Sequence, residues 1–390
     1  MSTFHIHFTF LENSGEVRRI KNIDTDLAQH LSGEVIEVVF VSIKSLANYK
    51  KSWFKLSDSV CKKIYLPLLP FSYKSWVIKR LNSIWCSLLV FILWLFYRPK
   101  FAIAEFSIGG QAMRLLPSSV QRIIDVHGAT REEYEYSSPN PNKRIANTYD
   151  YLERKGMRKA SFVVCQSEAM KKYLLEKYDF LTANRIFSYK CGADGKLFYI
   201  DNDIRTSIRK ELGVKETETL FIYSGGLHKW QRIEDSVNLF VDYAKKHESK
   251  FLILTLDKEA AQALVNQTGE ELKNRFIIHS VTNKEVYKYL NAADVAFLLR
   301  DDVVLNRVAS PTKLAEYMFC GLPIISTNVS TYWIENSSYI YNVDIEKNLD
   351  KVNDFIKNAD REAIAKYALE YLSVECDRRN LNILINEAKR

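Results

Sequence analysis

The sequence predicts an α/β protein built from two parallel-sheet domains. Three observations lead there. Its 390 residues exceed what a single hydrophobic core usually organises. Short apolar runs alternate with longer helix-patterned stretches, the pattern of βαβ units. The alternation then starts afresh near residue 200.

The first series of predicted strands is FHIHFTFL (4–11), VIEVVFVSI (35–43), FAIAEF (101–106), RIIDVHG (122–128), SFVVCQS (161–167) and RIFSYKCGAD (185–194), the last ending in a turn. The loop ENSGEVRR follows the first of them. The second series is TLFIYSGG (219–226), KFLILTLD (250–257), RFIIHSV (275–281), VAFLLR (295–300) and LPIIST (322–327). A first domain is expected over 1–198, a second over 199–365, and a charged terminal helix over 366–390 that can cross back onto the first. Parallel sheets bind ligands at the carboxyl ends of their strands, so the cleft between two facing Rossmann-like domains is the expected site. No G-x-G-x-x-G follows a strand, which argues against a nicotinamide or flavin cofactor.

Composition narrows the partners. Hydrophobic residues make up 47% of the chain, and 55 basic residues stand against 47 acidic, a net charge of +8. The excess is local: lysines recur from Lys44 to Lys79 with Asp58 as the single acid between them. Such a patch suits an anionic membrane surface. It is rich in aromatics but lacks the interleaved base-stacking repeats or the module of a nucleic-acid binder. IWCSLLVFILWLFY, residues 84–97, is apolar throughout but shorter than the roughly 20 residues a spanning helix needs. A helix buried in the protein, or half-embedded in a membrane, is expected there. The six cysteines are scattered, with no metal-ligand spacing, and read as reduced thiols. MSTFHIHFTF has neither the charged start nor the cleavage site of a signal peptide. A cytoplasmic protein at the inner face of the plasma membrane is expected.

One stretch concentrates the chemistry: ASPTKLAEYMFCGLPIIST, residues 309–327. Ser310 is placed to cap a helix and Pro311 to occupy its first position. The N–H groups of Thr312, Lys313 and Leu314 would then point out of the N-terminus and, with the helix dipole, form a phosphate site. Lys313 adds a mobile positive charge. Glu316 shares its face and could accept hydrogen bonds from a vicinal diol such as ribose. Gly321 ends the helix ahead of a strand.

This stretch resembles the signature of the family-4 retaining glycosyltransferases of GT-B fold, in which a small-residue loop runs into a helix bearing Glu and then G-x-P-V/I-I. Other segments resemble that family in the same order. NSGEVRR is similar to its N-terminal glycine loop, and places Gly15 near the donor phosphates or the acceptor. DVHG is similar to a strand-end motif that sets His127 against the transferred sugar. VVCQSEAMKKYL, KCGADGKLF and FIYSGGLHKWQRIED resemble further family segments, the last carrying Gly225 and Gly226. The resemblance implies two Rossmann-like domains facing across a cleft, a nucleoside-diphosphate sugar as donor, and a ribose contact at Glu316. It also implies retention of anomeric configuration.

The pattern departs from the family in two places. Many members carry a second Glu eight residues before the matching one; here that place is Val308. Many hold the diphosphate with an Arg and a Lys after the first strand of the nucleotide domain; here Gly226 and Gln231 stand there. Lys229 and Arg232 lie close by and are expected to supply the charge, with Arg307 and Lys313 as further candidates. No D-x-D pair sits after a strand, so metal-independent transfer is expected, with no cofactor beyond the donor. His127, Lys229 and Lys313 are the expected catalytic groups, and Glu132 and Glu133 belong to an acceptor-side loop. The acceptor is expected to be a lipid-linked saccharide met by the first domain, in the assembly of a bacterial surface polysaccharide such as capsule or O-antigen. The basic region and apolar helix of 44–97 would provide the membrane surface. A catalytically silent nucleotide-sugar-binding partner and a sugar-nucleotide epimerase are the alternatives.

Overall fold

The computed structural model of the chain describes residues 2–8, 34–42, 62–70, 75–190, 192–329 and 337–389. They form two units, Met1–Lys190 with Arg378–Arg390, and Cys191–Asp377. The expected boundary near residue 198 moves earlier. Ala193 and Phe198 both lie in the second unit's core, and Ala193 bridges to Ser373. The terminal helix Val374–Lys389 carries Leu384 and Ile385 into a cluster with Val35, Ile103 and Val164 of the first unit.

In the first unit seven parallel strands run in the order β3-β2-β1-β4-β5-β6-β7. They are β1 (Thr3–Phe8), β2 (Val35–Ser42), β3 (Lys62–Leu68), β4 (Phe101–Glu105), β5 (Gln121–Val126), β6 (Phe162–Cys165) and β7 (Ile186–Ser188). Continuous burial along β2 and β4 shows both faces covered, as parallel strands require. The sequence pattern did not give β3. Its KKIYLPL carries two lysines and a proline, which an edge strand accepts and a central one does not.

The apolar stretch 84–97 is the latter part of a longer helix, Trp76–Tyr97. Ser75 Oγ caps it by accepting from the Ile78 N–H at 3.4 Å. Arg98, at φ 47°, closes the other end through its N–H to the Trp94 carbonyl at 3.0 Å. The helix links β3 to β4, and its buried residues, Asn82, Cys86, Ser87 and Val90, fall on one face.

The second unit has six parallel strands in the order β10-β9-β8-β11-β12-β13. These are β8 (Thr219–Ser224), β9 (Ser249–Leu254), β10 (Phe276–His279), β11 (Val295–Leu298), β12 (Ile324–Ser326) and β13 (Ile340–Asn342). Alternation along β8 divides the core: Leu220 and Ile222 enter the cluster on one face, Phe221 and Tyr223 that on the other. In both sheets the order reverses once, between β1 and β4 and between β8 and β11. Those switch points, at the strands' carboxyl ends, are where open α/β sheets hold ligands.

Leu384→Ala is expected to cost about 2–4 kcal/mol in the unfolding of the first unit, measured by denaturant titration. A loss too small to resolve would mean that the terminal helix contributes little to that core.

Candidate functional site

At the switch point of the second sheet, β8 ends at Ser224 and turns through Gly225, whose φ is +133°. A Cβ at 225 would fall on Cε and Nζ of Lys313. The backbone angle calls for glycine there, and the missing side chain leaves the path that the lysine takes. Lys313 lies in the first turn of the helix Thr312–Phe319. Tyr317 of that helix accepts a hydrogen bond from the Ser224 N–H at 2.9 Å, fixing the helix to the end of β8. Lys313 Nζ donates to Tyr223 Oη and Gln231 Oε1, both at 3.1 Å, and lies 4.5 Å from the centre of the Tyr223 ring.

Beside it stands a residue that sequence reasoning passed over. Arg300 follows β11 and is only 8% exposed. Its backbone is clamped by Thr327, whose Oγ1 accepts from the Arg300 N–H at 3.0 Å and donates to the Arg300 carbonyl at 2.9 Å. The guanidinium forms no ion pair among the described residues, and burial lowers its pKa. Burial first, and then the charge of Arg300, hold the Lys313 ammonium well below the usual lysine range; Glu316 opposes the shift. Glu316 is itself buried, one turn along the helix. A buried guanidinium whose charge bears on a half-buried ammonium is costly unless an anion joins them. The available sequence signal was an arginine ending an apolar strand run, VAFLLR.

Several expected contacts fall differently. Pro311, not Ser310, is the N-cap, and no side chain caps this end, because the helix begins one residue later than the Ser-Pro pattern implied. The Leu314 N–H is already used, donating to the Pro311 carbonyl at 3.0 Å, so the orphan donors of the first turn reduce to Thr312 and Lys313. Arg232, at φ 48°, gives its Nε to Asp235 at 2.6 Å and lies 3.7 Å from Asp301, so its charge is met by acids. Arg307 pairs with Asp302 at 2.5 Å on the surface. Lys229 is exposed in the short turn Lys229–Gln231. The Gly226 carbonyl accepts from the Tyr223 hydroxyl. Val308 is buried. Gly15 lies outside the described residues.

In the first unit, His127 follows β5 at the carboxyl edge. Its Nε2 lies 2.5 Å from Glu105 Oε2 and 3.0 Å from Asp125 Oδ2. Glu105 also bonds His5 on β1, so three neighbouring strands contribute to one buried network. Nδ1 of His127 is buried without a hydrogen bond. Phe106, at φ 65°, sets its ring 4.6 Å from the imidazole. Left-handed backbone at a bulky residue is strained and often marks a site. Burial alone would lower the His127 pKa, but Asp125 and Glu105 outweigh it and raise it to about 9. Glu105, Asp125 and His127 bring ligand atoms within 4.8 Å of one another, a spacing that could admit a metal ion. The two imidazoles already offer those acids compensating charge.

The acids of the next helix diverge. Glu132 accepts from the Tyr173 hydroxyl at 2.5 Å and pairs with Lys177 at 3.6 Å. Glu133 folds back onto Gly128, whose missing Cβ leaves room for its carboxylate. A cavity of about 80 Å³ opens nearer β1 and β3, lined by Phe8, Lys79, Asn82, Gln111, Tyr149 and Leu152 among others. The Gln111 amide nitrogen is buried without a partner.

Residues 204–371 match the family described as Glycosyl transferases group 1. The chain is 23% identical over 218 residues to the N-acetyl-alpha-D-glucosaminyl L-malate synthase of Bacillus anthracis; the match covers 56% of this chain and 52% of the relative, about half its length. Among solved structures, the sucrose-phosphate synthase of Thermosynechococcus elongatus is similar with a TM-score of 0.75 at 13% identity, over 99% of both chains. Anabaena Alr3699/HepE in complex with UDP has a TM-score of 0.71 at 12% identity, covering 99% of this chain and 100% of that one. At these identities the structural likenesses establish the fold.

The raised His127 pKa fixes a pH dependence. The protonated imidazole stabilises the fold, fully below its ordinary value of 6.5, and the contribution is lost as pH rises through about 9. Denaturant titration of the first unit should lose on the order of 1–3 kcal/mol across that window. Asp125→Asn should flatten the slope.

Proposed function

For a chain whose second unit is a group 1 glycosyl transferase domain, we propose transfer of a sugar from a nucleoside-diphosphate donor to a saccharide acceptor. The observation that carries this reading is the buried Arg300 beside the half-buried Lys313 at the switch point of the second sheet. A diphosphate is the anion that suits them. The open turn at Gly225 and Gly226 lets phosphate oxygens approach the backbone, and Glu316 accepts from the ribose hydroxyls. As the glycosidic bond breaks, negative charge grows on the leaving diphosphate, where Arg300 and Lys313 are already oriented. Arg300 thereby takes the duty left vacant at Gly226 and Gln231, with Lys229 at the rim.

On the acceptor side, the free Nδ1 of His127 is a donor for a hydroxyl of the transferred sugar, its charge held by Asp125 and Glu105. Transfer with retention and without a metal follows from the resemblance and from cations doing the work a metal would do. A lipid-linked acceptor at the inner membrane face, in surface-polysaccharide assembly, completes the reading. Val308, where many relatives carry a Glu, favours one second reading, a protein that binds the nucleotide sugar without turnover. Release of nucleoside diphosphate only when acceptor is present separates the two.

Titration calorimetry with UDP, GDP, ADP, CMP and TDP, in EDTA, tests the donor site; the UDP-bound neighbour makes UDP the first choice. One diphosphate should bind, and Arg300→Ala or Glu316→Ala should weaken it about tenfold or more. Equal binding by the variants, or none by wild type, would sink the reading. Burial and Arg300 lower the Lys313 pKa and a bound diphosphate opposes that shift, so binding should be linked to proton uptake as pH rises through the Lys313 pKa. Repeating the titration in buffers of different ionisation enthalpy measures this, and Lys313→Met should abolish the uptake.

A further inference from the structure

The helix Trp76–Tyr97 is built inside out for a protein surrounded by water. Val77, Leu81, Ile84, Leu88, Ile92 and Leu95 recur at intervals of three and four, which places them on one face along the whole helix. Each is between 40% and 51% exposed, and Phe96 beside them is 77% exposed. The opposite face, turned to the protein, carries Asn82, Cys86, Ser87 and Val90. At 1.5 Å per residue the apolar stripe runs about 30 Å. Soluble proteins rarely leave so long an apolar strip uncovered.

We propose that this outward face lies in the interfacial layer of an anionic lipid bilayer, with the helix axis in the membrane plane. Charge and ends select lipid as the occupant. The helix has no acidic residue, and Arg80, Arg98 and Lys100 have no ion-pair partner among the described residues. Each end carries a tryptophan with an arginine over its ring, Arg80 at 5.4 Å from Trp76 and Arg98 at 3.9 Å from Trp94. Aromatic rings and arginines of this kind sit at headgroup depth. The helix is long and apolar enough to cross a bilayer. The contacts of its inner face oppose that. Trp85 Nε1 donates to the Pro67 carbonyl at 2.9 Å, Asn82 Oδ1 accepts from the Leu69 N–H at 3.1 Å, and Lys79 Nζ donates to Tyr149 Oη at 2.8 Å. Those bonds hold the helix against the sheet unit as the crossover from β3 to β4, and leave only its outer side for lipid.

The inference names the contact surface of the membrane reading above and rests on it for the presence of a membrane alone; lipid binding is read without any sugar transfer, so each can fail separately. The full chain is sedimented with vesicles of phosphatidylcholine, alone or mixed with phosphatidylglycerol. Wild type should pellet with the mixed vesicles and less with the neutral ones. Leu81→Ser with Leu88→Ser should lower partitioning roughly tenfold or more. Arg80→Gln with Arg98→Gln should remove the preference for phosphatidylglycerol. Both double variants should keep the wild-type circular dichroism and nucleotide affinity. Wild type left in the supernatant with both vesicles, or a leucine double variant that pellets like wild type, overturns the proposal. So does a protein that resists alkaline carbonate extraction from membranes, which would mean a spanning helix. A dimer in sedimentation equilibrium that the leucine variant dissolves, without vesicle binding, would assign the face to a second copy instead.

Discussion

All strands in each unit run the same way, and the rest of the molecule follows from that constraint. Parallel strands need crossovers, and crossovers put helices on both faces, so the strands themselves are buried and apolar. The carboxyl ends then all open on one edge. Where the strand order reverses, neighbouring crossovers leave in opposite directions and a gap remains between them. In the second sheet that gap lies between β8 and β11 and receives Gly225, Arg300 and Lys313. In the first it lies between β1 and β4, where His5 and Glu105 meet His127 from the next strand.

Most buried charges in this protein are answered locally, which makes the exception informative. Arg209, 1% exposed, bonds Asp294 at 3.1 Å and three backbone carbonyls. Arg205 shares the same carboxylate at 2.6 Å. Glu37 has Lys63 at 2.7 Å and His7 at 3.5 Å. Lys177 lies among Glu132, Asp150 and Glu153. These are structural pairs, charge-balanced without any ligand. Arg300 and Lys313 differ in kind: burial lowers the pKa of both, and the charge of Arg300 lowers that of Lys313 further. A group poised in that way belongs to a site more often than to a scaffold.

The sequence made the architecture legible wherever strands were central and uniformly apolar, as in VIEVVFVS and TLFIYS. It missed two of the four edge strands: β3, which mixes lysines and proline, and β13, which is three residues long. The punctuation of residues 309–327 located the helix there but misplaced its start by a residue. The shared helix face of Lys313 and Glu316 was readable, because they sit one turn apart. Arg300 was not, since its importance comes from a neighbour on a different segment, thirteen positions away in the chain and adjacent only after folding. Arg232 misled for the complementary reason: a basic residue beside a glycine turn looks available until Asp235 and Asp301 are seen around it. The strained backbone at Phe106 leaves no trace in composition at all.

The bond from the Ser224 N–H to Tyr317 and the path of Lys313 over Gly225 tie two distant stretches into one rigid body. The heritable module is therefore a pair of segments, roughly 219–231 and 309–327, and not the helix motif by itself. Grafting the second onto another parallel sheet would import Glu316 in place but leave Lys313 without the floor and the two hydrogen-bond acceptors that aim it. Recombination that respects the pair can exchange the rest of the sheet, whereas a crossover falling between them separates a lysine from the glycine that makes room for it.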